Sequence, residues 1–297
     1  MGIRGLGSFL KEECQNCSKK KTLYHYKNKK IVIDINNYLY RFLKNFCYIP
    51  SLYEICALFK FYNIEAIFVF DGIPPNEKSE TILKRREERN ESIVKYNNIK
   101  ELYENTNDEK LLPYLKTLNK KSLKLTNQHF REAKTLITLM GFKYIIADGE
   151  ADTLCASMVI YDDAYACMSE DSDMFLLGCP RVIRYFSVIK HTVVQYDLDE
   201  ILHYLNLSFD EFQKICILTG TDYTTHTKPQ KIGYIYENYI KNQTEFYNLI
   251  PSIAMDELVS IQKFLKISNQ TNYECIQKQD INKSLEEFLY DYNFIFI

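Results

Sequence analysis

The sequence predicts an α/β protein: a mainly parallel sheet with helices on both faces, interrupted by one helical insertion and followed by a helical C-terminal region. Two observations carry this. Short β-branched apolar runs alternate with longer segments of helical period, and strands separated by helices build parallel sheets. The 297 residues, 46% of them apolar, suffice for one large domain with a full core.

In chain order, residues 31–35 read as the first strand, followed by helices over 36–46 and 52–62. The apolar run 64–70 is the second strand. No strand is legible between Asp71 and Thr126, so this segment is expected to leave the sheet edge as helices and return. Residues 142–147 form a third strand before a helix over 151–161, and 165–168 and 182–185 form two more strands. From Leu198 onward the pattern is helical, with turns near 221–230 and at Pro251. Ligands of such sheets gather beyond the C-terminal ends of the strands.

Several classes are set aside by composition. The opening MGIRGLGSFLKEE lacks the apolar core of a signal peptide, and Leu6 stands where a myristoylation motif needs Ser or Thr. Apolar runs are strand-sized, so no membrane partner is expected. Nine scattered cysteines fit reduced thiols in an intracellular compartment, and Cys14-x-x-Cys17 lacks the second pair that a zinc site needs. Net charge is −2, yet residues 78–124 hold twelve Lys/Arg against eight Asp/Glu, a local +4 that leaves −6 elsewhere. One basic stretch on an otherwise acidic chain suits phosphates on one face and metal-gathering carboxylates on another.

The acids carry the chemistry. Asp34 ends the run IVID and Asp71 ends IFVFD; Glu150 and Asp152 lie in DGEADTLCAS, and Asp171 and Asp173 in SEDSD. Asp222 lies in LTGTDY after a helix. Singly, each reads as a cap or a turn residue. Together, four successive strands bring six acids to one end of one sheet, a repulsion that divalent cations relieve. All-oxygen ligands select Mg²⁺, with Mn²⁺ as a substitute, over zinc.

At these residues the chain resembles the flap endonuclease family of structure-specific 5′ nuclease enzymes. The carriers are MGIRGL, Asp34 followed by Tyr40 in YRFL, VFDGIPP, GEAD, SEDSD and LTGTDY, six blocks in the family's order. The resemblance implies a PIN-like 5′ nuclease fold with a helical arch over about 72–125. It divides the chain into an N-terminal nuclease region 1–105, an internal region 126–222 completing the same domain, and a C-terminal helical DNA-binding region 223–297.

The implied activity is two-ion Mg²⁺-dependent hydrolysis of DNA at junctions carrying a 5′ single strand, by a monomer, in replication, repair or recombination. The seven carboxylates would be the metal ligands, with Glu150 and Asp171 also catalytic. Lys78 and Arg85, spaced seven apart in PPNEKSETILKRREER, would supply charge to the scissile phosphate, with Arg89 a turn further on. Gly2, Tyr40, Lys84, Lys228 and Lys231 complete the expected DNA contacts.

Three departures stand out. Asp152 replaces the commoner Glu of the GEAD block. TTHTKPQKIGYIYENY lacks the glycine pair of the family's potassium-binding hairpin, which argues against K⁺ there. Asn282-x-x-Leu285-x-x-Phe288 matches a sliding-clamp peptide only loosely and reads as an amphipathic last helix. The compartment would be the nucleus in a cell, or a viral replication compartment. Rival readings are a catalytically silent DNA-junction scaffold, a plain 5′→3′ exonuclease, a bubble or Holliday-junction nuclease and a PIN-type ribonuclease.

Overall fold

In the computed structural model, residues 2–224, 230–243, 252–267, 273–276 and 283–294 are described. The spine of the molecule is β2 (Lys30–Asp34), β3 (Glu65–Phe70), β4 (Lys143–Ile146), β5 (Ala166–Met168) and β6 (Arg181–Ser187), all mutually parallel. Two antiparallel strands extend one edge, β7 (Thr192–Asp197) beside β6 and β1 (Ser18–Thr22) beside β7. The order across the sheet is β1-β7-β6-β5-β2-β3-β4. The sheet is thus mainly parallel, as expected, but β1 and β7 go beyond the sequence reading.

Helices cover both faces. On one side lie α1 (Leu6–Glu13), α7 (Ala151–Ile160), α8 (Asp173–Leu176), α9 (Leu198–Leu205), α10 (Phe209–Thr219), α11 (Ile232–Lys241) and α12 (Ser252–Phe264). On the other lie α2 (Ile35–Lys44), α3 (Tyr48–Phe61), α6 (Asn127–Leu139) and the short α13 (Leu285–Tyr290). Strand alternation divides the core accordingly: Val32, Ile67 and Val69 face the first layer, Ile31, Ile33, Phe68 and Phe70 the second. Burial on both sides explains why β2 and β3 read as unbroken apolar runs.

The insertion consists of α4 (Ser79–Thr106) and α5 (Leu112–Ser122), packed on each other. At ~1.5 Å per residue α4 is about 40 Å long, and Ser92 is its only buried residue. It leaves from β3 and returns through α6 to β4, the neighbouring edge strand.

The C-terminal part is not wholly helical: Ile276 bridges to Tyr144 of β4 with hydrogen bonds of 3.0 and 2.8 Å. Phe288, the aromatic of the loose clamp motif, is buried with Leu289 in the second layer. Cys14 and Cys17 are buried free thiols after α1. No helix among the described residues is long and apolar enough to cross a membrane.

Candidate active site

Because β2 to β5 are parallel and adjacent, the residues that follow them emerge at the same end. Asp34 ends β2, Asp71 follows β3, Glu150 sits at the N-terminus of α7, and Asp171 follows β5. A cleft of about 620 Å³ is lined by Asp34, Asp71, Glu150, Asp152, Asp171 and Asp222 on its floor. Lys78, Arg85, Arg86 and Arg89 from the insertion form its opposite wall, with Tyr40 at the side.

Two glycines permit the close approaches this requires. A Cβ on Gly72 would lie 1.8 Å from the Ala147 carbonyl oxygen, so only glycine lets the chain after Asp71 pass against the loop that carries Glu150. The Gly72 N–H donates to the Gly149 carbonyl at 2.7 Å, and the Ala151 N–H donates to Asp71 Oδ1 at 2.8 Å. At Gly2, with φ +86°, a Cβ would lie 2.1 Å from Asp171 Oδ1 and 2.8 Å from Asp173 Oδ1. Gly2 therefore backs the acids from behind.

The electrostatics are those of crowded carboxylates. Burial, with Asp71 and Asp152 close by, pushes the Asp34 carboxyl up to about 8, although Ser169 Oγ donates to it at 2.8 Å. Burial likewise pushes Asp152 up to about 7, offset in part by Lys78. Asp173 is 1% exposed, and its Oδ1 has no hydrogen-bond partner among the described residues. Burial and Asp171 hold its carboxyl well above the usual range.

Two cations lie among them. Lys78, only 8% exposed, places Nζ 2.7 Å from Glu150 Oε1 and 4.5 Å from the centre of the Tyr223 ring. Burial lowers its pKa, but Asp152, Glu150 and Asp173 outweigh that and push it up to about 12. Arg85 donates to Asp222 Oδ2 at 2.6 Å, and Thr81 Oγ1 donates to the Asp222 carbonyl at 3.0 Å. The first turns of α4 are thereby tied to the loop after α10.

Among the described residues, no three acidic, histidine or cysteine side chains converge tightly enough to cage an ion as they stand. Lys78 and Arg85 instead engage Glu150 and Asp222. The donor set nevertheless fits Mg²⁺ or Mn²⁺: among the described residues the cleft offers carboxylate, amide and phenol oxygens with no thiol or imidazole, and Asp173 Oδ1 is buried without a partner.

Of the expected DNA contacts, Tyr40, Lys78, Arg85 and Arg89 line the cleft. Lys84 does not: one residue before Arg85 on α4 it is rotated by about 100°, and it is exposed outside the cleft. Lys231 is exposed at the N-terminus of α11, away from the cleft lining. Lys228, with residues 225–229 of the divergent hairpin, lies outside the described residues. Gly2 packs against acids, not in the open cleft.

Sequence reasoning missed Ser169 and Tyr223, whose hydroxyls donate to Asp34 and Glu150 at 2.8 and 2.9 Å. Both stand inside the quoted blocks SEDSD and LTGTDY, the signal that could have flagged them. Asn36, Asn37, Arg86 and Lys124 also line the cleft. Glu170, the one acid of SEDSD not assigned to the site, turns away to Tyr38, Arg41 and the Tyr185 N–H.

An acid-floored, cation-walled cleft at the carboxyl end of a mainly parallel sheet is the feature that sets this α/β protein apart. The XPG N-terminal domain matches residues 1–92 and the XPG I-region residues 141–222. The chain belongs to the XPG and flap endonuclease family.

Among relatives, flap endonuclease 1 of Zea mays is 29% identical over 247 residues, 77% of this chain and 63% of the maize protein. Flap endonuclease 1-A of Sorghum bicolor is 30% identical over the same shares. The chain thus spans less than two thirds of the length of these curated relatives. Flap endonuclease-1 from Methanococcus jannaschii superposes with a TM-score of 0.62 at 26% identity, covering 86% of this chain and 84% of that one. The catalytic core of Rad2 in complex with DNA substrate shares the fold, with a TM-score of 0.63 at 20% identity over 96% and 94% of the two chains.

Proposed function

We propose that this chain is a magnesium-dependent, structure-specific 5′ nuclease that hydrolyses DNA phosphodiester bonds beside a junction carrying a 5′ single strand. One observation carries the reading: adjacent parallel strands bring carboxylates to a single cleft whose opposite wall is the cationic start of α4. A pure scaffold would bear that repulsion with no return.

Glu150, Asp152, Asp171 and Asp173 would be inner ligands of two Mg²⁺ ions, with Asp34, Asp71 and Asp222 ligating directly or through water. The bound ions would supply Lewis acidity toward the phosphate and favour ionisation of the attacking water. Lys78 and Arg85 stabilise charge that grows on the phosphate oxygens, and Tyr40 offers a ring to the base beside the cut. Arg89 holds a neighbouring phosphate; Lys228 and Lys231 would grip a duplex arm through side chains. The protein would act as a monomer wherever cellular or viral DNA is replicated, repaired or recombined.

The test is cleavage of labelled flap, nicked, bubble and four-way DNA, and matched RNA, in Mg²⁺ and in Mn²⁺. Preferential cutting of the 5′ flap supports the reading. Binding without cleavage on every substrate would establish the scaffold instead, and RNA preference the ribonuclease.

A further inference from the structure

A second concentration of positive charge runs along the far edge of the sheet, from β1 to the amino-terminal starts of β2 and β6. Residues 18–30, SKKKTLYHYKNKK, contain six lysines, one histidine and no acid, so the basic stretch at 78–124 does not stand alone. The segment comprises β1, a turn and the start of β2. Lys19 pairs with Glu200. Lys20, Lys21, Lys27 and Lys29 pair with no carboxylate among the described residues.

Lysines on an edge strand commonly guard it against pairing with another chain, and dispersed charge on β1 alone would suffice for that. Here cations from three elements converge. Lys21 of β1 and Lys29 before β2 place their ammonium groups 3.0 and 3.4 Å from the same ring nitrogen of His25. Lys29 also lies 3.8 Å from the centre of the Tyr165 ring, which Arg181 of β6 approaches at 4.6 Å. Burial, and then these two lysines, hold the His25 imidazole below its ordinary pKa. Asp197 of β7, across from Arg181 in the register, is the neighbouring acid, and the Gln195 amide engages it at 2.9 and 3.0 Å. Beside the cluster Tyr24 is 66% exposed, with Lys27 5.8 Å from its ring centre.

Converging cations that repel one another are relieved by anions, and an exposed ring beside them offers a face to a base. We propose that this patch is a second nucleic-acid site, which takes single-stranded DNA by phosphate contacts to Lys21, Lys29 and Arg181 and a base stacked on Tyr24. The partner class rests on the nuclease reading above. A single strand is the occupant because β2 separates Lys30, beside the patch, from Asp34 in the cleft by about 13 Å at ~3.3 Å per residue. A flexible strand of a few nucleotides turns around the sheet end, whereas a duplex seated in the cleft is too stiff to do so.

The test is fluorescence anisotropy with a short labelled oligothymidine in EDTA, where no cleavage intervenes, across a range of salt. Lys21→Glu with Lys29→Glu should weaken binding about tenfold or more and flatten the salt slope. Tyr24→Ala should weaken it about five- to tenfold. Lys20→Glu with Lys27→Glu, at exposed residues, should weaken it too and guards against a folding artefact. Isotherms that coincide with wild type for both charge-reversal pairs would overturn the proposal. So would a duplex of equal length binding as tightly while Tyr24→Ala is silent. Failure to cleave any junction would strike the nuclease reading instead and leave these isotherms intact as the test of the patch.

Discussion

Lys78 stands where two demands conflict. Its ammonium neutralises Glu150 and Asp152 in the structure, and the proposed chemistry needs it beside the phosphate. Lys78→Ala should therefore tighten Mn²⁺ binding to the DNA-free protein about tenfold in titration calorimetry, while slowing single-turnover cleavage by about 10² or more. Tightening without slowing would leave Lys78 a structural counter-ion only. Asp34 gives a pH signature. An unfolded aspartate ionises near pH 4, whereas folded Asp34 holds its proton up to about 8. Between those values the folded chain keeps a proton that the unfolded chain has released, so stability in EDTA should fall as pH rises through the window. Thermal melts should show that decline, and Asp34→Asn should shallow it. Asp34 and Asp71 were legible because each ends an apolar run that a buried charge would not casually end, and the other acids because they recur after successive strands and a helix. Ser169 and Tyr223 were not, because a lone hydroxyl carries no pattern.

Among the elements, α4 is oriented by its first two turns, where Thr81 and Arg85 hold Asp222. Arg85→Ala should slow single-turnover cleavage by about 10², and Lys84→Ala, one step around the helix, should leave it within about threefold. Equal effects of the two would mean that the helix contributes only diffuse charge. The lack of any strand pattern between Asp71 and Thr126 made this insertion readable, but β1 and β7 escaped. SKKKT contains no apolar residue and is held at the edge only through β7. In β7 the inward position of Gln195, 2% exposed, is polar because Tyr26 donates to its side-chain oxygen while its amide serves Asp197. A hydrogen-bonded core position breaks the alternation by which strands are recognised.

At the scale of the whole molecule, the parallel spine was legible because β2 and β3 are buried on both sides and so read as unbroken apolar runs. The return of residue 276 to β4 was not, since one bridged residue leaves no periodic trace. The insertion leaves from β3 and re-enters at β4, which hydrogen-bond to each other over four residue pairs, and its turn at Asn107 is exposed. Chain continuity across the arch is thus not what joins the two halves; the sheet is. A protease should nick the protein first near that turn and leave a complex that migrates as one species on gel filtration. The same logic makes the turn a seam for a split protein: polypeptides 1–107 and 108–297, expressed together, should copurify, and if cleavage survives in the pair, activity becomes conditional on bringing two inert fragments into one cell.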